Sequence, residues 1–164
     1  MPSTETHPRT NTVHHPGRLA AGPPGVVTAF DVSLRRTGEP GAPLTEQDRA
    51  WPGLMRRIGR AHLRMWKLDA LLESAELVLS ELVTNGYTHG RGRSVGVRLW
   101  RTGTHVGIEV NGGGGPSEPR VRRAGPDEES GRGLLLVSAL ADAWGVTDDG
   151  ARTWCLLSAE PRRP

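Results

Sequence analysis

Between Asp69 and His89 apolar residues return with the period of a helix, at Leu71, Leu72, Ala75, Val78, Leu79 and Leu82; from Ser94 onward they alternate. Such a change of period, from about 3.6 to about 2 across Gly90 and Gly92, restricts the fold to helices laid on a sheet, because each pattern buries one side of its element only. The alternating segments Ser94 to Trp100 and His105 to Val110 are separated by Thr102 and Gly103. They read as a hairpin, with Val95, Val97 and Leu99 facing the same core as Val106, Ile108 and Val110.

Other elements follow from local chemistry. Thr45, followed by Glu46, Gln47 and Asp48, predicts a helix start, since a hydroxyl caps free amides and acids suit the positive end of the dipole. This helix is expected to reach about Trp66, with Leu54, Ile58, Ala61 and Met65 as its apolar stripe and Arg56, Arg57, Arg60, Arg64 and Lys67 as its solvated face. Val26 to Arg36 reads as an edge strand, followed by a loop at Gly38, Pro40 and Gly41. Leu134 to Ala143 reads as a short apolar helix, and Trp144 to Thr147 as a strand pairing with Thr153 to Ser158 across Asp149 and Gly150. The expected class is α+β, a two-layer sandwich with helices on one face of a mixed, mainly antiparallel sheet.

A chain of 164 residues has room for one domain with a proper core. Residues 1–24, rich in Pro, Thr, His and Gly and without apolar period, are expected to form a disordered tail, and 25–160 the domain. His7, His14 and His15 lie in that tail without Cys or carboxylate at ligand spacing, so no metal site is expected there. The net charge of +3 raises the question of nucleic acid, but the basic residues are scattered and aromatics are few, so no direct nucleic-acid partner is expected. No apolar run reaches the ~20 residues needed to cross a bilayer, and the N-terminus lacks the apolar core of a secretion signal; a cytoplasmic protein without membrane partner is expected. Cys155, beside Leu156 and Leu157, reads as a small core residue of a strand.

Two segments carry candidate chemistry. Steps of four residues put Glu81, Asn85 and His89 on one strip of the second helix, next to its apolar stripe, with Thr84 and Thr88 beside them. Polar groups so close to a core should find partners, and an internal hydrogen-bond network is the plain expectation. Gly131-Arg132-Gly133-Leu134 stands immediately before an apolar helix, where free amides and the helix dipole suit a phosphate. Between strand and helix, Asn111 to Gly131 is loop by composition, with glycine from Gly112 to Gly115.

Taken together, Glu81-Leu82-Val83-Thr84-Asn85-Gly86-Tyr87-Thr88-His89-Gly90 resembles the N-box of the GHKL ATPases, which include gyrase, histidine kinases and mismatch-repair ATPases. Gly131-Arg132-Gly133-Leu134-Leu135-Leu136-Val137, with Ala139 to Val146 after it, is similar to their second glycine box. The nearest branch is that of the small bacterial anti-sigma-factor serine kinases and related actinobacterial regulators, and the similarity covers about Val26 to Ala159.

The resemblance implies an ATP- and Mg²⁺-binding protein in which Asn85 is the metal ligand and Glu81 the base that takes a proton from a serine hydroxyl or water. It also implies that amides of Gly131, Gly133 and Leu134 contact phosphate, that Arg132 offsets developing charge, that Asn111 to Ser130 is the ATP lid and that His89 lies near the nucleotide. Implied partners are a sigma factor and an anti-sigma antagonist protein; relatives in this branch often pair, so a homodimer is among the expectations.

One departure stands out. In the family, a strand like Val106 to Val110 is followed by an aspartate that accepts from the adenine amino group, whereas here the chain continues Asn111-Gly112-Gly113-Gly114-Gly115-Pro116. Asn111 offers only an uncharged side-chain carbonyl for that role. Loss of a charge-assisted bond costs about 1.5–3 kcal/mol, and each 1.4 kcal/mol is tenfold in affinity. Two readings therefore remain, an anti-sigma-type serine/threonine kinase and a non-catalytic partner-binding module of the same fold with weak or lost ATP binding.

Overall fold

The computed structural model describes residues 25–114, 132–147 and 149–160. The expected tail 1–24 and most of the expected lid lie outside the described residues. Strand β1 (Thr28–Arg35) leads to helix α1 (Glu46–Met65), then a 3₁₀ turn (Asp69–Leu71) and helix α2 (Leu72–His89). Strands β2 (Ser94–Arg101) and β3 (His105–Asn111) form the expected hairpin, followed by α3 (Arg132–Leu140), β4 (Ala143–Val146) and β5 (Arg152–Ser158). The sheet runs β1-β2-β3-β5-β4, and each strand pair among the described residues is antiparallel, with no parallel member.

Alternation assigns the two faces. Val97 pairs with Val110, Leu99 with Ile108 and Ile108 with Cys155, so one row after another presents its apolar side to the helices. These side chains are at most 2% exposed and share a core with Ala75, Val78, Leu79, Leu82 and Val83 of α2. The opposite face has its own apolar cover. The indole of Trp100 lies against Gly107 and that of Trp154 against Gly145, cross-strand pairs in which a ring occupies the space a side chain would need.

Thr45 caps α1 as expected, its hydroxyl accepting from Asp48 N at 3.1 Å. The stripe that α1 buries, however, is Met55, Gly59 and Leu63; Ala61 is exposed and Met65 is 66% exposed, against expectation. Gly59 is the reason: with no side chain there, Leu79 of α2 presses into the α1 backbone, and the helix rolls to present that line. Arg56, Arg57, Arg64 and Lys67 face solvent, while Arg60 pairs with Glu76 of α2. The second helix also starts three residues later than a start at Asp69 would give, since that turn is 3₁₀. Among the described residues no helix is long and apolar enough to cross a membrane.

Cys155 lies in the strand interior, fully buried between Ile108 and Trp144 in register. Burial pushes its thiol up to about 12, against a weaker opposing hydrogen bond with the Ile108 backbone. An aromatic disulfide reagent should therefore label the native protein negligibly and react only after denaturant is added; rapid labelling of the native protein would contradict this placement.

Candidate functional site

Helix α2 packs on β2 and β3 and also meets α3. Gly86 makes the approach to the sheet possible, since a Cβ there would stand 3.0 Å from both Val95 and Val110 methyls. The contact with α3 is made by the candidate base. Any side chain at Gly133 would overlap the Glu81 carboxylate, so Glu81 rests directly on the backbone of the first turn of α3. In that turn the amides have no partner inside the helix, and the positive end of the dipole favours an anion.

Arg132 and Gly133 are thus part of α3 and not a loop before it, and the helix ends at Leu140, so Ala143 belongs to β4. The physical reason for the end is tertiary: Asp142 N donates to Leu156 O at 2.9 Å and the Asp142 carboxylate accepts from Ser158 N at 2.5 Å, which turns the chain into the sheet. Leu134 is half-buried against the core. Gly131 lies outside the described residues.

The α2 strip comes out in graded exposure. Glu81 and Asn85 are half-buried, whereas Thr84, Thr88 and the terminal His89 are exposed. Among the described residues no hydrogen bond engages the side chain of Glu81 or Asn85, so the expected internal network is not what positions them. Their helix does so. A surface groove of about 340 Å³ between α1 and α2, lined by Leu54, Arg56, Arg57 and Arg60, contains none of these residues.

Asn111 is not brought to this strip. It pairs with Gly96 and Arg152 on the face of the sheet turned away from the helices, and its Oδ1 accepts from Gly113 N at 3.0 Å. The cause is alternation: Val110 points to α2, so Asn111 cannot. The next position facing α2 is Gly112, which is buried; a Cβ there would stand 2.8 Å from Gly86 O and 3.1 Å from the Cα atoms of Gly86 and Gly90. The end of β3 therefore meets the end of α2 backbone to backbone, with Gly92 N donating to Gly112 O at 2.8 Å. A phosphate-and-metal end of a nucleotide site fits the residues present; an acidic adenine anchor at this strand end does not. Among the described residues no three His, Cys, Asp or Glu side chains converge, so Asn85 would hold a metal together with the phosphates and not within a protein cage.

Two residues outside the candidate motifs complete the region. Arg36, 7% exposed, reaches from the end of β1 under the last turn of α2. It donates to the carbonyls of Tyr87 at 2.7 Å, Gly92 at 3.1 Å, and Gly86 and Gly90 at 3.3 Å. These include orphan carbonyls of a helix end, where a cation is worth up to about 2 kcal/mol when partly buried. Its guanidinium lies 5.1 Å from the centre of the Tyr87 ring, whose hydroxyl donates to Leu34 O at 3.2 Å. The second residue is Asp48, 1% exposed, which accepts from Thr37 N and Thr37 Oγ1 at 2.9 Å and from Gly38 N at 3.2 Å. It ties the loop after Arg36 to the start of α1.

Residues 46–158 match the family model described as histidine kinase-like ATPase domain. No curated protein matches the chain.

Proposed function

Since the chain belongs to the histidine kinase-like ATPase family, we propose that it binds ATP with Mg²⁺ and acts as a regulatory serine/threonine kinase of the anti-sigma type, phosphorylating a protein antagonist. The observation that carries this reading is the seat of Glu81 against the first turn of α3, with Asn85 one turn further along α2. A carboxylate there is within reach of whatever anion the α3 amides hold, which is the arrangement phosphoryl transfer needs.

When bound, ATP supplies the phosphoryl group and Mg²⁺ the charge that offsets its oxygens. Asn85 presents a neutral amide oxygen, a hard ligand suited to a cation that keeps several waters. Glu81 would take the proton of the acceptor hydroxyl as that oxygen bonds to the γ-phosphorus and the bond to the leaving ADP breaks. Arg132 and the amides of α3 stabilise the charge that accumulates. Gly133 keeps the Glu81 carboxylate close to this turn, because any side chain would displace it.

A second reading, a partner-binding module with weak or lost ATP use, is favoured by the backbone contact at Gly112, which leaves no room for an acid where the strand end faces α2. Calorimetric titration of the protein with MgATP separates the two. Saturable binding is expected, weakened at least about tenfold in Asn85→Ala, a loss of 1.4 kcal/mol. Glu81→Gln should bind normally but transfer phosphate at least about 100-fold more slowly to a serine acceptor. No binding at millimolar ATP, by protein whose circular dichroism is that of a folded α+β domain, would remove the kinase reading and leave the module.

A further inference from the structure

We propose that Arg36 is a positioning residue for the nucleotide site: its guanidinium locks the turn of α2 that follows Asn85 to the exit of β3, so that the metal ligand and the end of that strand are held as one unit. This inference rests on the reading of Asn85 as metal ligand.

The last turn of α2 is weakly specified by its own sequence. Gly86 and Gly90 flank Tyr87, Thr88 and His89, and glycine in a helix loses more backbone freedom on ordering than any other residue. Without an external restraint, the turn that carries the peptide after Asn85 would fray. Arg36 is that restraint. Four bonds from one planar group, at 2.7–3.3 Å, hold the carbonyls of Gly86, Tyr87, Gly90 and Gly92 in fixed relation. Lysine cannot reproduce them, because its donors radiate from a point and not from a fork.

The same turn holds β3. Gly112 packs on Gly86 and Gly90, Gly92 N bonds Gly112 O at 2.8 Å and Arg91 N bonds Gly113 O at 3.3 Å. Gly113, at φ 78°, then turns the chain away. Arg36 therefore fixes at once the peptide next to Asn85 and, through Gly92, the end of β3 at Gly112 and Gly113. Arg36 is 50 or more positions in sequence from each of its acceptors, so the link exists only in the fold.

The test is Arg36→Lys in the full chain, studied at a temperature where both proteins are folded. MgATP affinity should fall at least tenfold, while affinity for ATP in EDTA changes less than twofold, because the loss acts through the metal ligand. A general loss of packing would not discriminate between the two. In Arg36→Gly, added guanidinium ion at concentrations that leave the wild type folded should restore MgATP affinity in part. Equal affinity of wild type and Arg36→Lys, or equal losses with and without Mg²⁺, would overturn the proposal.

Hydrogen exchange gives a readout that needs no nucleotide. In Arg36→Lys, amides from Gly86 to Gly92 and at Gly112 and Gly113 should exchange at least tenfold faster, with those of α1 and the first turns of α2 unchanged. Unchanged exchange at these positions would overturn the clamp itself. Absence of MgATP binding by the wild type, with the local exchange change present, would instead count against the nucleotide reading and remove the positioning role with it.

Discussion

Gly90→Ala is expected to lower stability by about 3 kcal/mol, although it adds a single methyl group to a helix cap. The backbone at Gly90, with φ −69° and ψ 151°, is one any residue adopts, so conformational preference is not at issue. Space is. The added Cβ would overlap the carbonyl oxygens of Gly86 and Gly112 and stand 2.8 Å from the Gly112 carbonyl carbon, all of them main-chain atoms that cannot rotate away. Overpacking typically costs about 1–3 kcal/mol, and relief here means parting α2 from β3. Separation would forfeit the Gly92–Gly112 bond and the bond from Arg36 to Gly90 O, each worth about 1 kcal/mol. In a domain of this size the midpoint of thermal unfolding should fall by about 10 °C. Gly103→Ala is the control, because nothing lies within 4 Å of its Cβ position; it should leave the midpoint within about 2 °C. Equal midpoints for Gly90→Ala and wild type would show that the two backbones are not in contact.

Asp48→Ala should cost about 1–2 kcal/mol in chemical denaturation at neutral pH, because it leaves the part-buried donors Thr37 N and Gly38 N without their acceptor. Asp48→Asn is expected to recover only part of this, since an amide set between two N–H donors must turn one of its own donors against them. The charge adds a pH dependence whose sign follows from the structure. Burial alone would raise the carboxyl, but the bonds from Thr37, Gly38 and Thr45 outweigh it and hold the group below its ordinary 3.8. The unfolded chain therefore binds this proton more readily than the folded one, and the stabilisation is complete above about pH 5 and is lost as the pH falls through the ordinary carboxylate value toward the depressed one. The gap in unfolding free energy between wild type and Asp48→Asn should accordingly narrow below about pH 4. A gap that stayed constant or widened in acid would mean that Asp48 is not held ionised.

Much of the scaffold was legible because it rests on short-range chemistry. The Thr45 cap, the β2–β3 hairpin and the pairing of β4 with β5 are each decided by residues within a few positions of one another. What escaped depends on contacts between distant segments. Arg36 looks like any arginine at a strand end beside Arg35, and its partners are carbonyls, which carry no residue identity. The side of α1 that is buried was misjudged because Gly59 counts for nothing on an apolar scale, yet it admits Leu79. Gly133 was legible as a glycine near a helix start but for another reason; its value is the room it gives to Glu81. At Asn111 the alternation that correctly set Val106, Ile108 and Val110 inward also dictates that this residue faces the other way.

The sheet order β1-β2-β3-β5-β4 puts the last of the described strands between two earlier ones. Strand β4 pairs only with β5 among the described strands, so a growing chain that has emitted everything up to Val146 still lacks the rung joining β4 to the rest. The helices and the β1–β3 meander can associate as they emerge, but Ile108 and Val106 stay uncovered along one edge until Cys155 and Leu157 arrive. Synthesis order and sheet order thus disagree, and the β3 edge stays unpaired until β5 follows β4.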